Sequence, residues 1–391
     1  MLDNLNVQSI LSDILEVTKS VVSDIIEKEA QTIDEKAIWP KNGIRALQKA
    51  GLGGLVIPAE YGGLGHGIYS MVRVCEEIGK SCPSTSISFG MHLTASGVLS
   101  AKATTYHVEE FLKPIAKGTH LTTLALSEPG TGAEFYFPQC ELKSKSSDTF
   151  TINGTKSFVT NGGYADSYVV STQSTASNQV GQFNMLAVTQ DTKGLEWGPK
   201  WEGFGMRGNQ SRTVELKNIT VPAKNLLGSE GDQVWYVFHV VAPYFLAGMA
   251  GGYLGLATRA YEIVKDHFKE RTFKHSEVNL ARRLIPQERL AEMWGKIEST
   301  RQFIYWAAKE YDSAGPLALP SIIMTKVKAA ECAVEITNEA LTRTGGIAYR
   351  DNSILCRLLR DARAAHIMAP TTDYLKVWAG RALLDLPVLG D

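Results

Sequence analysis

The sequence predicts an α+β protein in three parts: a helical region, a central antiparallel β domain and a second helical region. Three observations carry this. Apolar residues recur at three- and four-residue spacing from the start to about Thr119. Thr-rich alternating segments replace that spacing up to about residue 230, and the helical period then returns to the end. The boundaries fall at 1–119, 120–230 and 231–391, and 391 residues are ample for units with their own buried cores.

In the first part the helical pattern is set by Ile10, Leu11, Ile14 and Leu15, then by Val21, Val22 and Ile25. The stretch Gly51–Gly65 is a glycine-rich break, after which Tyr69–Ile78 resumes the helical period. The β domain is predicted from Leu121–Leu126, Thr149–Ile152, Ser167–Ser171, Phe183–Val188 and Arg212–Leu216. Asn153-Gly154 between two such runs predicts a hairpin turn, and Asn161-Gly162-Gly163 a second turn. In the third part long helices are expected over 233–270 and 285–313. Another runs from Pro320 to Thr344, where Gly345-Gly346 stops it. No Asp, Glu, Lys or Arg lies between Gln233 and Thr258, a length able to span a bilayer. His239, Pro243 and the small residues around Ala247–Gly252 read instead as a buried helix, with G-x-x-x-G spacing for close helix approach.

Composition excludes several functions. Forty Lys+Arg against 41 Asp+Glu leave a net charge of −1, without the basic excess that phosphate-binding nucleic-acid partners require. Cys75, Cys82, Cys140, Cys332 and Cys356 are scattered and form no C-x-x-C pair, which argues against a disulfide framework and for a reducing, cytoplasmic setting. The acidic N-terminal turns do not read as a secretory signal. The eight histidines show no metal-ligand spacing, and no nucleophile elbow is present.

Two glycine-rich segments have chemical potential. Ser127-Glu128-Pro129-Gly130-Thr131-Gly132 follows an apolar strand and could bring backbone N–H groups against a phosphate or a flat ring; it suits a surface turn equally well. Gly345-Gly346 with Arg360-Asp361-Ala362-Arg363 could seat a phosphate or adenine, or form a helix–helix turn with structural polar contacts. His92 and His366 sit in apolar surroundings, as catalysts or as hydrogen-bonded core residues. The residues by themselves reach a three-part fold and no reaction.

Taken in order, these segments resemble the acyl-CoA dehydrogenase family of flavoproteins over essentially the whole chain. The similarity runs through Gly51–Gly65, Leu124-Ala-Leu-Ser-Glu-Pro-Gly-Thr-Gly132, Asn153-Gly-Thr-Lys156 and Phe158-Val-Thr-Asn-Gly-Gly163. It continues through Arg207–Pro222, Lys269-Glu-Arg-Thr-Phe273 and the Gly345-Gly346/Arg360–Arg363 pair. The resemblance implies an N-terminal helical domain, a central β domain and a C-terminal four-helix bundle. It implies FAD at a subunit interface of a homodimer or homotetramer, with an electron-transferring flavoprotein or oxygen as acceptor. By position, Leu126, Ser127, Gly132, Ala133, Phe158, Val159 and Thr160 would meet the flavin. Arg271 and Phe273 would reach a neighbouring subunit's cofactor, and Thr342, Gly345 and Gly346 would line its adenine end, with Thr371 and Asp373 nearby.

The departures concern the acyl thioester side, on CoA or on an acyl carrier protein. The family's α-proton base is a Glu in a Glu-Gly-Thr tripeptide after Arg-Asp-Ala, which here reads Ala369-Pro370-Thr371. Some members carry it ten residues before a Gly-Leu pair; that position is Phe245. A loop Ser is replaced by Ala133, and helix Asp and Arg positions hold Pro243 and Leu246. Three readings follow: a flavin dehydrogenase with an unusual base, a flavin monooxygenase or N-hydroxylase, and a silent FAD-binding subunit. For the first, Asp373 is the nearest acid to the vacated position, or else a residue of a helix N-terminus; for the second, His92 and His366 are the candidates.

Overall fold

The computed structural model describes residues 2–175 and 183–389. The first part comprises α1 (Leu2–Val21), α2 (Glu27–Lys36), α3 (Lys41–Lys49), α4 (Ile68–Ser81), α5 (Pro83–Ala101), α6 (Thr105–His107) and α7 (Lys113–Ala116). Leu11, Ile14 and Leu15 are buried together, as residues three and four apart on one helical face must be. The glycine-rich break folds as two 3-10 turns, Leu52–Gly54 and Ala59–Tyr61. Pro83 opens α5 in its first turn, where a missing N–H forfeits no helical bond.

The middle part holds β1 (Thr122–Ala125), β2 (Glu141–Ser146), β3 (Thr149–Val159), β4 (Ser167–Thr172), β5 (Asn184–Thr189), β6 (Leu195–Trp197) and β7 (Arg212–Pro222). They form two sheets, ordered β1-β4-β5 and β2-β3-β7-β6. The pairings are antiparallel except that of β1 with β4, which is parallel. The chain leaves β1, makes the β2–β3 hairpin in the other sheet and returns, so β4 enters beside β1 in the same direction.

The hairpin expected at Asn153-Gly154 does not form there. Those residues lie within β3, where the register against β7 slips between Ile152 and Gly154. Gly154 takes φ +154, and a Cβ on it would lie 2.5 Å from Cys140 Sγ, so the glycine answers a bulge and a close strand rather than a turn. The reversal falls instead after Ser146, where Ser146 Oγ meets Thr149 Oγ1 at 2.7 Å. Asn161-Gly162-Gly163 is a turn, with Asn161 at φ +61 and Gly163 at φ +81.

The last part contains α8 (Gln233–Tyr236), α9 (Ala242–Glu270), α10 (Leu284–Asp312), α11 (Ala318–Thr344), α12 (Ile354–Ile367) and α13 (Thr372–Leu383). A π-type turn, Val237–Val241, joins α8 to α9, and Pro243 follows it in the first turn of α9, where its ring cannot continue the preceding bonds. The apolar stretch of this helix is 89% buried inside the protein, as the sequence reading expects of a core helix. A Cβ at Gly251 would lie 2.4 Å from Val72 O and one at Gly255 2.1 Å from Glu76 O, so these glycines set how closely α9 crosses α4. Around that crossing Arg301 Nε donates to Glu76 Oε1 at 3.0 Å, while Tyr305 OH donates to Glu76 Oε2 at 2.5 Å. The buried carboxylate thereby ties α4 to α10 and is paid for by two donors.

Candidate active site

A cavity of about 600 Å³ opens where β1, the turn after β3, the start of α9 and the end of α12 converge. Strand β1 delivers Leu124, and the segment that follows it delivers Leu126, Ser127 and Glu128 to the wall. Phe158 at the end of β3 and Thr160 just beyond it supply a second side, and the Phe204–Met206 segment a third. Val241, Ala242 and Phe245 close the helical side, with Ala369, Pro370 and Thr371 below them.

The loop at Ser127 is held by a buried ion pair. Lys156 is fully buried and Glu128 nearly so; Lys156 Nζ donates to Glu128 Oε1 at 2.5 Å, to Ser171 Oγ at 3.0 Å and to Leu126 O at 3.2 Å. Backbone N–H groups of Gln139 and Cys140 complete the carboxylate at 2.8 and 3.2 Å. With its lone pairs so occupied, Glu128 is a structural acceptor rather than a proton acceptor. The sequence reading missed this pair, which joins the segment after β1 to β3 of the other sheet.

Phe158 is held at φ +54, a region that residues with a β-carbon avoid, and its ring is 67% exposed, edge-on to Trp201 at 6.1 Å between centroids. Thr160 Oγ1 lies 3.1 Å from Ser211 Oγ, and the Ser127 hydroxyl has no partner among the described residues. Gly132, at φ +54, has open space where a Cβ would point. An exposed aromatic face, a free hydroxyl and an unobstructed glycine around one cavity fit a flat isoalloxazine ring with polar edges.

The expected flavin-side residues Leu126, Ser127, Gly132, Ala133, Phe158 and Thr160 therefore meet on one cavity, together with Thr371; Val159 is buried beside them without lining it. Arg271, Phe273, Thr342, Gly345 and Gly346 do not line it. Phe273 packs near Arg283, 5.8 Å from its ring, and Gly345 ends α11 at φ +74.

None of the three expected catalytic residues lines the cavity. His92 is fully buried on α5 and accepts the Thr122 N–H at 3.1 Å through Nδ1. Burial first, then the neighbouring His120, pushes its pKa down to about 3, so it stays a neutral pin between α5 and β1. His366 Nδ1 sits 3.2 Å from Thr372 Oγ1, with its pKa lowered by burial. Asp373 is exposed in the first turn of α13, where a carboxylate suits the helix dipole.

Arg360 and Asp361 make structural contacts. The Arg360 guanidinium spans both Asp34 oxygens and donates to Phe204 O at 3.0 Å; Asp361 Oδ1 accepts the Met206 N–H at 2.6 Å. Burial raises the Asp361 carboxyl to about 7. Together they clamp the Phe204–Met206 wall onto α12. Beneath the cavity, Lys326 is buried in α11 and donates to Met368 O at 2.5 Å and Pro370 O at 2.6 Å. Burial pulls its pKa down to about 7, and even a neutral amine keeps two N–H groups for those two carbonyls. The Ala369–Pro370 bond that it underpins is cis.

The two positions where the resemblance placed a base, Ala369 and Phe245, both line the cavity and carry no acid. Glu128 is the only carboxylate among the described lining residues, and it is committed to Lys156.

Comparison with known proteins agrees with the geometry. Residues 11–119, 123–219 and 246–384 match the acyl-CoA dehydrogenase N-terminal, middle and C-terminal domains. A short-chain-specific acyl-CoA dehydrogenase of Clostridium acetobutylicum is 26% identical, covering 93% of this chain and 96% of its own. A cyclohex-1-ene-1-carbonyl-CoA dehydrogenase of Geobacter metallireducens is 28% identical over 95% and 97%. The structure of butyryl-CoA dehydrogenase from Megasphaera elsdenii superimposes with a TM-score of 0.90 at 26% identity, over 96% of this chain and 98% of that one. With three matched domains in order and a cavity built on the expected loops, the chain belongs to the acyl-CoA dehydrogenase family.

Proposed function

We propose that the chain is an FAD-dependent oxidoreductase that moves a hydride between the acyl part of a thioester and the flavin, α,β-desaturating that acyl part. The thioester is carried on CoA or on a carrier protein. The observation that carries this reading is the exposed Phe158 face beside Ser127 and Thr160 on a cavity of about 600 Å³. FAD, when bound, supplies the two-electron acceptor. Phe158 would stack along the ring, the Ser127 and Thr160 hydroxyls would bond its polar edge, and Val241, Ala242 and Phe245 would exclude water from the reacting carbons. The α-proton leaves to something other than a cavity carboxylate, since Glu128 is neutralised by Lys156 and Asp373 stands off the wall. Arg271, Phe273, Thr342, Gly345 and Gly346 serve an FAD shared across a homodimer or homotetramer. Exposed Leu284 and Tyr349, at 82% and 79%, give such an interface apolar area to bury.

The same absence of a free carboxylate favours a second reading, a flavin monooxygenase or N-hydroxylase, which needs no α-carbon base. One experiment separates them. The purified protein is titrated anaerobically with acyl-CoA and acyl-carrier thioesters while the flavin absorbance is followed. Bleaching that requires a thioester supports the dehydrogenase. Reduction only by NAD(P)H or a reductase, with oxygen consumption, supports the monooxygenase. A protein that carries no FAD and meets neither condition ends both readings.

A further inference from the structure

Met368, Ala369, Pro370 and Thr371 all line the cavity and run as a short strap between the end of α12 and the start of α13. Its ends are held by those helices. The Met368 N–H donates to Ala364 O at 3.0 Å, and Thr371 O accepts the Leu375 N–H at 3.0 Å. Its middle is held from elsewhere. Pro370 has no N–H to give, and the carbonyls of Met368 and Pro370 are both taken up by Lys326 of α11.

The Lys326 side chain is fully buried, and both of its hydrogen bonds go to backbone oxygens. No acid pairs with it among the described residues. Burying an amine without a counter-charge costs free energy that an apolar side chain of similar length would not. What it secures is the placement of the two carbonyls that flank Ala369. Lys326 itself does not line the cavity, so the strap stands between it and any ligand.

Thr371, at one end of the strap, is expected beside the flavin. Ala369 stands where the resemblance placed the group that meets the acyl α-carbon. The strap therefore runs from the cofactor side to the acyl side of the cavity, and its height sets the spacing between them. Transfer needs reacting atoms about 3–3.5 Å apart, and a displacement of about 1 Å can cost about 10²-fold in rate.

We propose that Lys326 is a positioning residue: by holding the carbonyls of Met368 and Pro370 it keeps the strap at the height that brings the acyl carbons of a bound thioester within transfer distance of the flavin. It touches neither substrate nor cofactor and acts only through the strap. This rests on the thioester reading above.

The experiment uses the FAD-loaded protein and two variants. Lys326→Met keeps the length and removes both donors; Lys326→Gln keeps two N–H groups without the charge. Flavin bleaching is followed anaerobically by stopped flow with straight-chain acyl-CoA and acyl-pantetheine thioesters, the fastest being taken to saturation. Amide hydrogen exchange of the strap is measured without thioester. In Lys326→Met the limiting rate should fall about 10²-fold, while the half-saturating concentration changes by less than about threefold. The strap amides should exchange at least about tenfold faster, with FAD content and exchange in α11 as in the parent. Lys326→Gln should recover part of both losses.

An unchanged limiting rate in Lys326→Met, with only the melting temperature lowered, overturns the proposal, and so does an effect confined to half-saturation or to FAD content. Where Lys326→Met does not fold, Lys326→Gln decides. Rate and strap exchange that move together, or that both keep the parent's values, support the proposal. A normal rate on a loosened strap, or a lowered rate on an intact one, overturns it. If no thioester bleaches the parent, the thioester reading fails and the proposal with it. A parent that bleaches no faster than Lys326→Met sinks the proposal alone.

Discussion

The two walls of the cavity follow opposite rules. On the β-domain side the buried Lys156–Glu128 pair is given several partners, Thr160 meets Ser211, and the backbone is held even where it is strained, as at Phe158. On the helical side Val241, Ala242, Phe245, Ala369 and Pro370 offer shape without charge. The first wall is costly to alter because each polar group removed leaves another unsatisfied. The second is easier to alter because its side chains make apolar contacts and leave no polar partner unsatisfied when they change. Conserving a cofactor and changing a reaction therefore load different residues of one pocket.

The largest expected effect breaks the first wall. Lys156→Met leaves Glu128 buried and unpaired and should cost about 3–5 kcal/mol of stability, measured by chemical denaturation, with loss of bound FAD. Restoring an acid to the second wall comes next. Ala369→Glu should raise the rate of flavin reduction by a neutral acyl-CoA by about 10²-fold or more, the usual worth of a placed general base, measured by stopped-flow bleaching. No gain would mean that the acyl carbons do not pass this position.

A smaller effect concerns the clamp between the walls. The Asp361 carboxyl is raised in the folded protein from 3.8 to about 7, so between those values the folded state holds a proton that the unfolded chain has lost. Its contribution to stability is full below about pH 4 and is lost as pH rises through about 7, at roughly 1 kcal/mol per pH unit. Asp361→Asn imitates the protonated group, and the difference in melting temperature between it and the parent should shift in the mutant's favour across that window. The smallest effect is that of Asp373→Asn. An exposed carboxylate at a helix start is worth about 0.3–1 kcal/mol, so stability should fall slightly and thioester-driven flavin reduction should stay unchanged. Abolished reduction with FAD retained would instead make Asp373 the missing base.

Much of the fold was legible because period is a local property. Helices α9, α10 and α11 lie within a residue or two of their expected ends, apart from the short α8 and π-type turn that begin the first, since Gly345 and the proline-marked turns punctuate the chain. Asn153-Gly154 was misread because a glycine demanded by a close strand and one demanded by a turn look alike until the partner strand is known. The flavin-facing loops were legible as motifs. The catalytic candidates were not: His92 and His366 were chosen for apolar neighbours, and apolar neighbours describe a pinned core histidine as well as an active one. Lys326 and the pairing of Lys156 with Glu128 escaped notice because their meaning lies in contacts that join distant segments.

Lys326 has one further consequence. It grips the carbonyls on either side of Ala369 from inside the bundle, so the backbone at that position is fixed by a residue that takes no part in what the side chain does. The address and its occupant are inherited separately. A single codon change at 369 could add or delete acid chemistry while the scaffold that aims it stays in register, which gives a lineage a short route between reactions on one unchanged frame.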